Sequence, residues 1–148
     1  MWASYKGRIE ISKLLIEAGA DVNTPDKDIY GWAPLRWASV KGFKELVELL
    51  IYKGANVNAV NNYGGTALMG ASLRGDIEIA KLLIDSGADV NAVDEEGWTP
   101  LMYASAKGFK ELVELLIKKG ANVNAVTKRG GTALIWASRH GRAEIKNL

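Results

Sequence analysis

The sequence predicts an all-α solenoid, a row of helix-turn-helix units stacked side by side, and three observations predict it. Glycines recur every 33 residues, at Gly31, Gly64, Gly97 and Gly130. Two more glycine columns keep the same step, Gly42, Gly75, Gly108 and Gly141, and Gly54, Gly87 and Gly120. Apolar positions hold the register, with Leu35, Leu68, Leu101 and Leu134 in one column and Ala38, Ala71, Ala104 and Ala137 in another. A fixed period of roughly 20–50 residues marks an array whose units cannot bury their apolar faces alone.

The period divides the 148 residues into a single array of five units. Their approximate limits are 1–25, 26–60, 61–93, 94–126 and 127–148, the first and last incomplete. Unit 1 joins the pattern through Gly7, Gly19, Val22 and Asn23, and is expected to begin inside its first helix. Its link to unit 2, Thr24 to Tyr30, is two residues longer than the equivalent Ala59 to Tyr63. Residues 41–60 and 107–126 differ only at Tyr52 against Lys118, whereas unit 3 resembles unit 1, so the units alternate with a 66-residue super-period. That alternation fits a recent duplication of a repeat pair, and equally a synthetic scaffold with no natural partner.

Within a unit the order is turn, helix, link, helix. In unit 4, Thr99 is a good N-cap and Pro100 suits the first helical position, where its missing N–H has no intrahelical partner. Unit 2 has Ala33 before Pro34 and loses the capping hydroxyl, at a cost of roughly 1 kcal/mol. Gly108 ends the first helix and permits the reversal. The second helix is expected from about Lys110 to Lys119, stopped by Gly120. At about 100° per residue, Leu101, Ala104, Ser105 and Gly108 share one face of the first helix, small enough for close approach. In the second, Leu112, Val113, Leu115, Leu116 and Ile117 cover an arc wide enough for its partner and both neighbouring units.

The run Gly97-Trp98-Thr99-Pro100-Leu101-Met102-Tyr103-Ala104-Ser105, followed by Leu115-Leu116 and Gly120-Ala121-Asn122-Val123-Asn124-Ala125, resembles the ankyrin repeat. The resemblance covers essentially the whole chain. It implies an L-shaped stack whose units are joined by β-hairpin fingers, a curved surface, and a role in protein–protein recognition. One departure is clear: the family's histidine after Pro-Leu is replaced by Arg36, Met69, Met102 and Ile135.

Two surfaces are candidates for binding a partner protein or peptide. Trp37 lies two positions after Leu35, so it points about 200° from the core face. Its equivalents are Trp2, Gly70, Tyr103 and Trp136, and four residues further along stand Lys6, Lys41, Arg74, Lys107 and His140. An aromatic row and a basic row thus run along the first helices, which the resemblance places on the concave face. Aromatics are favoured where interface energy concentrates, and the cations suit acidic side chains. Each row also has a structural reading, aromatics filling gaps between helices and cations facing the negative helix end. The second surface is the finger tips, with Tyr30, Trp32, Tyr63, Glu95, Glu96, Trp98, Lys128 and Arg129. The acidic tip of unit 4 precedes the basic tip of unit 5, so attraction between tips is as good an explanation as contact with a partner.

Enzyme chemistry finds little support. There is no cysteine and one histidine, so no thiolate or Cys-ligated metal site exists and no cofactor is expected. Glu45/Glu48 and Glu111/Glu114 read as a solvated helix face. Asn23, Asn58, Asn91 and Asn124 read as amides satisfying backbone groups where the chain leaves a helix. A net charge of +2 gives no case for nucleic acid or an anionic membrane. Apolar runs fall far short of the ~20 residues of a spanning helix. The N-terminus does not read as a signal or transit peptide. No feature specifies a compartment, and the cytoplasm is the default. An alternative function is self-association through ends that lack polar caps, at Trp2 and Ile9 on one side and Ile145 and Leu148 on the other.

Overall fold

A computed structural model of the chain describes residues 2–139, with side chains from residue 8 to residue 139. Along these residues run α1 (Trp2–Glu17), α2 (Pro34–Lys41), α3 (Lys44–Tyr52), α4 (Ala67–Arg74), α5 (Ile77–Asp85), α6 (Pro100–Lys107), α7 (Lys110–Lys118) and α8 (Ala133–Arg139). His140, Ile145 and Leu148 lie outside the described residues.

The short helices start and stop where local chemistry dictates. The Thr66 and Thr99 hydroxyls accept the amides of Met69 and Met102, each at 3.3 Å, while Ala33 offers no such bond to α2. Gly75 ends α4 at φ +79°, a left-handed conformation that a side chain would strain. Its absent Cβ also leaves room for the Phe109 ring of the next unit, which would lie 2.8 Å away. Asp76 then caps α5 through the amide of Ile79 at 3.0 Å.

Helices α2, α4, α6 and α8 pack in sequence as an inner row, and α1, α3, α5 and α7 as an outer row. Each complete unit pairs one helix from each row, α2 with α3, α4 with α5 and α6 with α7. The core lies between the rows. Leu35, Leu68 and Leu101 meet it from the inner side, and Leu50, Leu83 and Leu116 from the outer side, all fully buried. Burying such a side chain stabilises the fold by roughly 1.5–3 kcal/mol. Ala38, Ala71 and Ala104 keep the rows close. Ser39 and Ser72 tolerate burial because their hydroxyls donate to the carbonyls of Leu35 and Leu68 at 2.8 Å.

The expected histidine position is repacked: Met69 and Met102 are fully buried, and Arg36 turns aside to donate to the carbonyl of Thr66 in the next unit. The recurrent asparagines do more than close their own turns. The Asn58 amide donates to the Gly87 carbonyl at 2.9 Å while its oxygen accepts the Asp89 amide at 2.7 Å. Asn23 and Asn91 make the same two bonds with the unit that follows each. These are inter-repeat braces.

The first unit departs from expectation. By sequence Gly7 falls in the column of Gly42, Gly75 and Gly108, which end the inner helices. Instead α1 runs straight through Gly7 as one 16-residue helix packed on α3. Its backbone belongs to the outer row, so unit 1 has no inner helix among the described residues. Leu15 stands where Leu50, Leu83 and Leu116 are buried, yet it is 57 % exposed.

Candidate functional site

The fingers precede the inner helices, and each is closed by a backbone bond across its turn. Asp26 pairs with Trp32, Asn61 with Gly65, Asp94 with Trp98 and Thr127 with Gly131, at 2.8–3.0 Å. Successive tips are joined the same way, from Asn62 to Tyr30, Glu95 to Tyr63 and Lys128 to Glu96. The fingers therefore form a continuous hydrogen-bonded edge beside the inner row. The two extra residues of the unit 2 finger are accommodated by Asp28, whose carboxylate accepts the amides of Tyr30 at 2.8 Å and Gly31 at 3.0 Å. Donation from Gly31 first, and from Tyr30, holds that carboxyl below the usual aspartate range.

The expected aromatic row is drawn into two clusters that join tips to helices. Trp37 packs against Trp32 with ring centroids 4.4 Å apart and the planes tilted by 55°, and Tyr30 bridges from Trp32 at 6.1 Å to Tyr63 at 6.2 Å. In the second cluster Trp98 lies 5.0 Å from Tyr103 and 4.7 Å from Trp136. Each cluster is anchored by an aspartate that sequence reasoning overlooked. Asp26 accepts the Trp32 amide at 2.9 Å and the Trp37 indole N–H at 3.0 Å. Asp94 accepts the amides of Trp98 at 2.9 Å and Glu96 at 3.0 Å, and the Tyr103 hydroxyl. Burial, and then donation to Asp94, push the Tyr103 hydroxyl well above its ordinary value. A signal for these aspartates was present: each opens a finger that carries a tryptophan, ahead of an inner helix that carries Trp37 or Tyr103.

The alternation of Trp32 and Trp98 with Gly65 and Gly131 has a steric cause. A Cβ on Gly131 would sit 2.9 Å from the Trp136 ring, and one on Gly65 would sit 3.1 Å from the Arg36 guanidinium. Arg36 lies over the Trp32 ring at 4.9 Å and reaches across to unit 3. Burial draws its guanidinium below its usual value, while Tyr103 and Asp94 act in the opposite sense. Gly70 occupies the aromatic column in unit 3 and is buried. A Cβ there would meet Val40 at 2.7 Å, so the gap in the row is packed.

The cations fall into different environments. Lys41 and Lys107 are exposed at the ends of α2 and α6. Arg74 is exposed too, but its guanidinium folds over Gly42 and donates to the Val40 carbonyl at 3.5 Å. Trp2 and Lys6 leave the inner row because their backbone belongs to α1. Glu95, Glu96, Lys128 and Arg129 are exposed at the tips. Among the described residues no ion pair joins the acidic tip to the basic one. The pairs present between units lie on the outer row, from Lys13 to Glu45 at 2.9 Å and Lys44 to Glu78 at 2.8 Å.

Among the described residues no helix is long and apolar enough to cross a membrane. No group of three or more His, Cys, Asp or Glu side chains among them is placed to hold a metal ion. The family model for ankyrin repeats (three copies) matches residues 1–94 and again residues 68–148. The chain belongs to the ankyrin-repeat family, whose members are generally non-enzymatic protein–protein interaction modules. No curated protein matched the sequence.

Proposed function

We propose that the chain binds a partner protein or peptide on the face formed by its fingers and inner helices, which the family's curvature makes the concave side. The supporting observation is the state of the aromatics. Tyr30, Tyr63 and Trp37 are between 40 % and 49 % exposed, and Trp37 is held by the Trp32 ring and a carboxylate. An aromatic fixed before binding loses little conformational entropy on capture, which suits it to anchor an interface. Trp98, Tyr103 and Trp136 extend the surface as half-buried rings, and Trp98 and Trp136 line a cleft of about 290 Å³ with Glu96 and Arg129. Lys41 and Lys107 flank it with exposed positive charge and favour a segment that carries carboxylates.

Selection of peptides from a random displayed library against the immobilised chain tests this reading. Binders should combine an apolar anchor with acidic residues. They should lose at least tenfold in affinity to the variant Tyr30→Ser/Tyr63→Ser/Lys41→Glu/Lys107→Glu, whose four positions are all exposed. Binding should survive Glu114→Lys on the outer row. Peptides that bind both variants like the parent chain would place recognition elsewhere.

A further inference from the structure

We propose that Arg36 receives a carboxylate of the bound partner in the gap between the two aromatic clusters, an inference that rests on the function proposed above and names the contact that makes it selective. The gap belongs to unit 3. Units 2 and 4 carry Trp32 and Trp98 in one column and Trp37 and Tyr103 in another, where unit 3 carries Gly65 and Gly70. The Arg36 guanidinium crosses from unit 2 into the space these glycines leave. A Cβ on Gly65 would lie 3.1 Å from its Cζ and Nη1, and one on Gly70 would lie 3.9 Å from its Nη1. The Trp32 ring backs the guanidinium at 4.9 Å, and Tyr103 and Asp94 of unit 4 are close enough to act on its charge. A cation thus occupies the one place in the face where two successive aromatic positions are empty.

That cation is incompletely paired. Its Nη1 donates to the Thr66 carbonyl, whereas Nε is buried without an acceptor. Among the described residues Nη2 makes no hydrogen bond, and no carboxylate forms an ion pair with Arg36. Asp94 is already committed to the amides of Trp98 and Glu96 and to the Tyr103 hydroxyl. Burial opposes the guanidinium charge more strongly than Tyr103 and Asp94 support it. A desolvated charge without a counter-ion is costly, and a carboxylate brought by the partner removes that cost. Nε and Nη2 form one edge of the planar guanidinium, two parallel donors matched to the two oxygens of a carboxylate. The side chain is half-buried, so it is not enclosed. The Thr66 bond and the Trp32 ring hold it in place before the partner arrives, which lowers the entropy lost on pairing. Close to Asp94, a single negative charge suits the site better than a phosphate dianion. Lys41 and Lys107 are exposed point charges, which attract an acidic segment without fixing one carboxylate in position.

A double-mutant cycle with the tightest peptide from the library selection tests the proposal. Each Asp or Glu of the peptide is changed in turn to Asn or Gln, and its C-terminus is amidated. Every peptide is then titrated against the parent chain and against Arg36→Met, methionine being the residue that units 3 and 4 carry at this position. Removing one carboxylate should weaken binding to the parent chain by about tenfold or more, and to Arg36→Met by less than about twofold. The position of that carboxylate tells a side chain from the chain end. The parent chain supplies a second measurement, the Arg36 Nε–H proton resonance, which should move downfield with the acidic peptide and stay in place with its neutral analogue. Absence of coupling between Arg36 and every carboxylate overturns the proposal. Should Arg36→Met fail to fold, an Nε–H resonance that does not respond to the acidic peptide overturns it. The variant Tyr30→Ser/Tyr63→Ser/Lys41→Glu/Lys107→Glu keeps the two proposals apart. Peptides that it releases but that show no coupling to Arg36 defeat this inference alone, whereas peptides that it binds like the parent chain defeat recognition at the fingers and inner helices.

Discussion

The indole N–H of Trp37 donates to the Asp26 carboxylate at 3.0 Å, tying an inner-helix aromatic to an acid at the base of its own finger. Tyr103 and Asp94 repeat the pairing two units later, across nine residues where the longer unit 2 finger needs eleven. The aromatics proposed to meet a partner are therefore also the posts on which the fingers stand. Removing the acid should loosen finger and anchor together. Asp94→Ala should cost about 2–3 kcal/mol, since a carboxylate accepting two amides and a hydroxyl is lost. Urea unfolding monitored by tryptophan fluorescence measures it, and Asp94→Asn should recover part of the loss.

Tyr103 gives the second cluster a dependence on alkaline pH. Its folded pKa lies above the unfolded value of about 10. The folded state therefore holds the phenolic proton more tightly. That contribution is complete below about pH 10 and fades as pH rises above it. Stability of the parent chain should fall more steeply above pH 10 than that of Tyr103→Phe. Absorbance titration near 295 nm should show the variant lacking a tyrosinate that forms above the ordinary tyrosine range.

The missing cap of α2 is open to repair. Ala33 already has the extended backbone of Thr66 and Thr99, and Met69 and Met102 show where the hydroxyl would bond. Ala33→Thr should stabilise the chain by about 0.5–1 kcal/mol, and Thr66→Ala should cost a similar amount. Thermal unfolding of the two variants checks both signs.

Gly70 should resist replacement although it lies within a helix. Alanine there gains up to about 1 kcal/mol of helix propensity, but its methyl meets Val40 at 2.7 Å. Overpacking of that kind costs about 1–3 kcal/mol, so Gly70→Ala should destabilise on balance. Gly70→Ala combined with Val40→Ala should be less unstable than the sum of the single changes. A double-mutant cycle in urea reads that coupling.

What could be read in the sequence was what the backbone itself enforces. Thr99-Pro100 and Gly108 act within a few residues, and the helix they bound, α6, runs from Pro100 to Lys107. The leucine and alanine columns declare the core because identical surroundings recur every 33 residues. The aromatic row was legible as a row. Its use was not, because Asp26 and Asp94 reach Trp37 and Tyr103 only through the path of the fingers. Arg36 was legible as a departure from the family pattern, yet the space above Gly65 and Gly70 that receives it belongs to the next unit. Gly7 shares its column with Gly42, yet α1 continues through it. A glycine costs only about 1 kcal/mol inside a helix, so one alone does not enforce a reversal.

Hydrogen–deuterium exchange of the chain, with and without the tightest peptide from the library selection, tests the central claim most directly. Binding to the fingers and inner helices should slow exchange within 26–37, 61–70 and 94–103 and leave α3, α5 and α7 unchanged. Protection confined to those three outer helices, with the fingers unaffected, would contradict it.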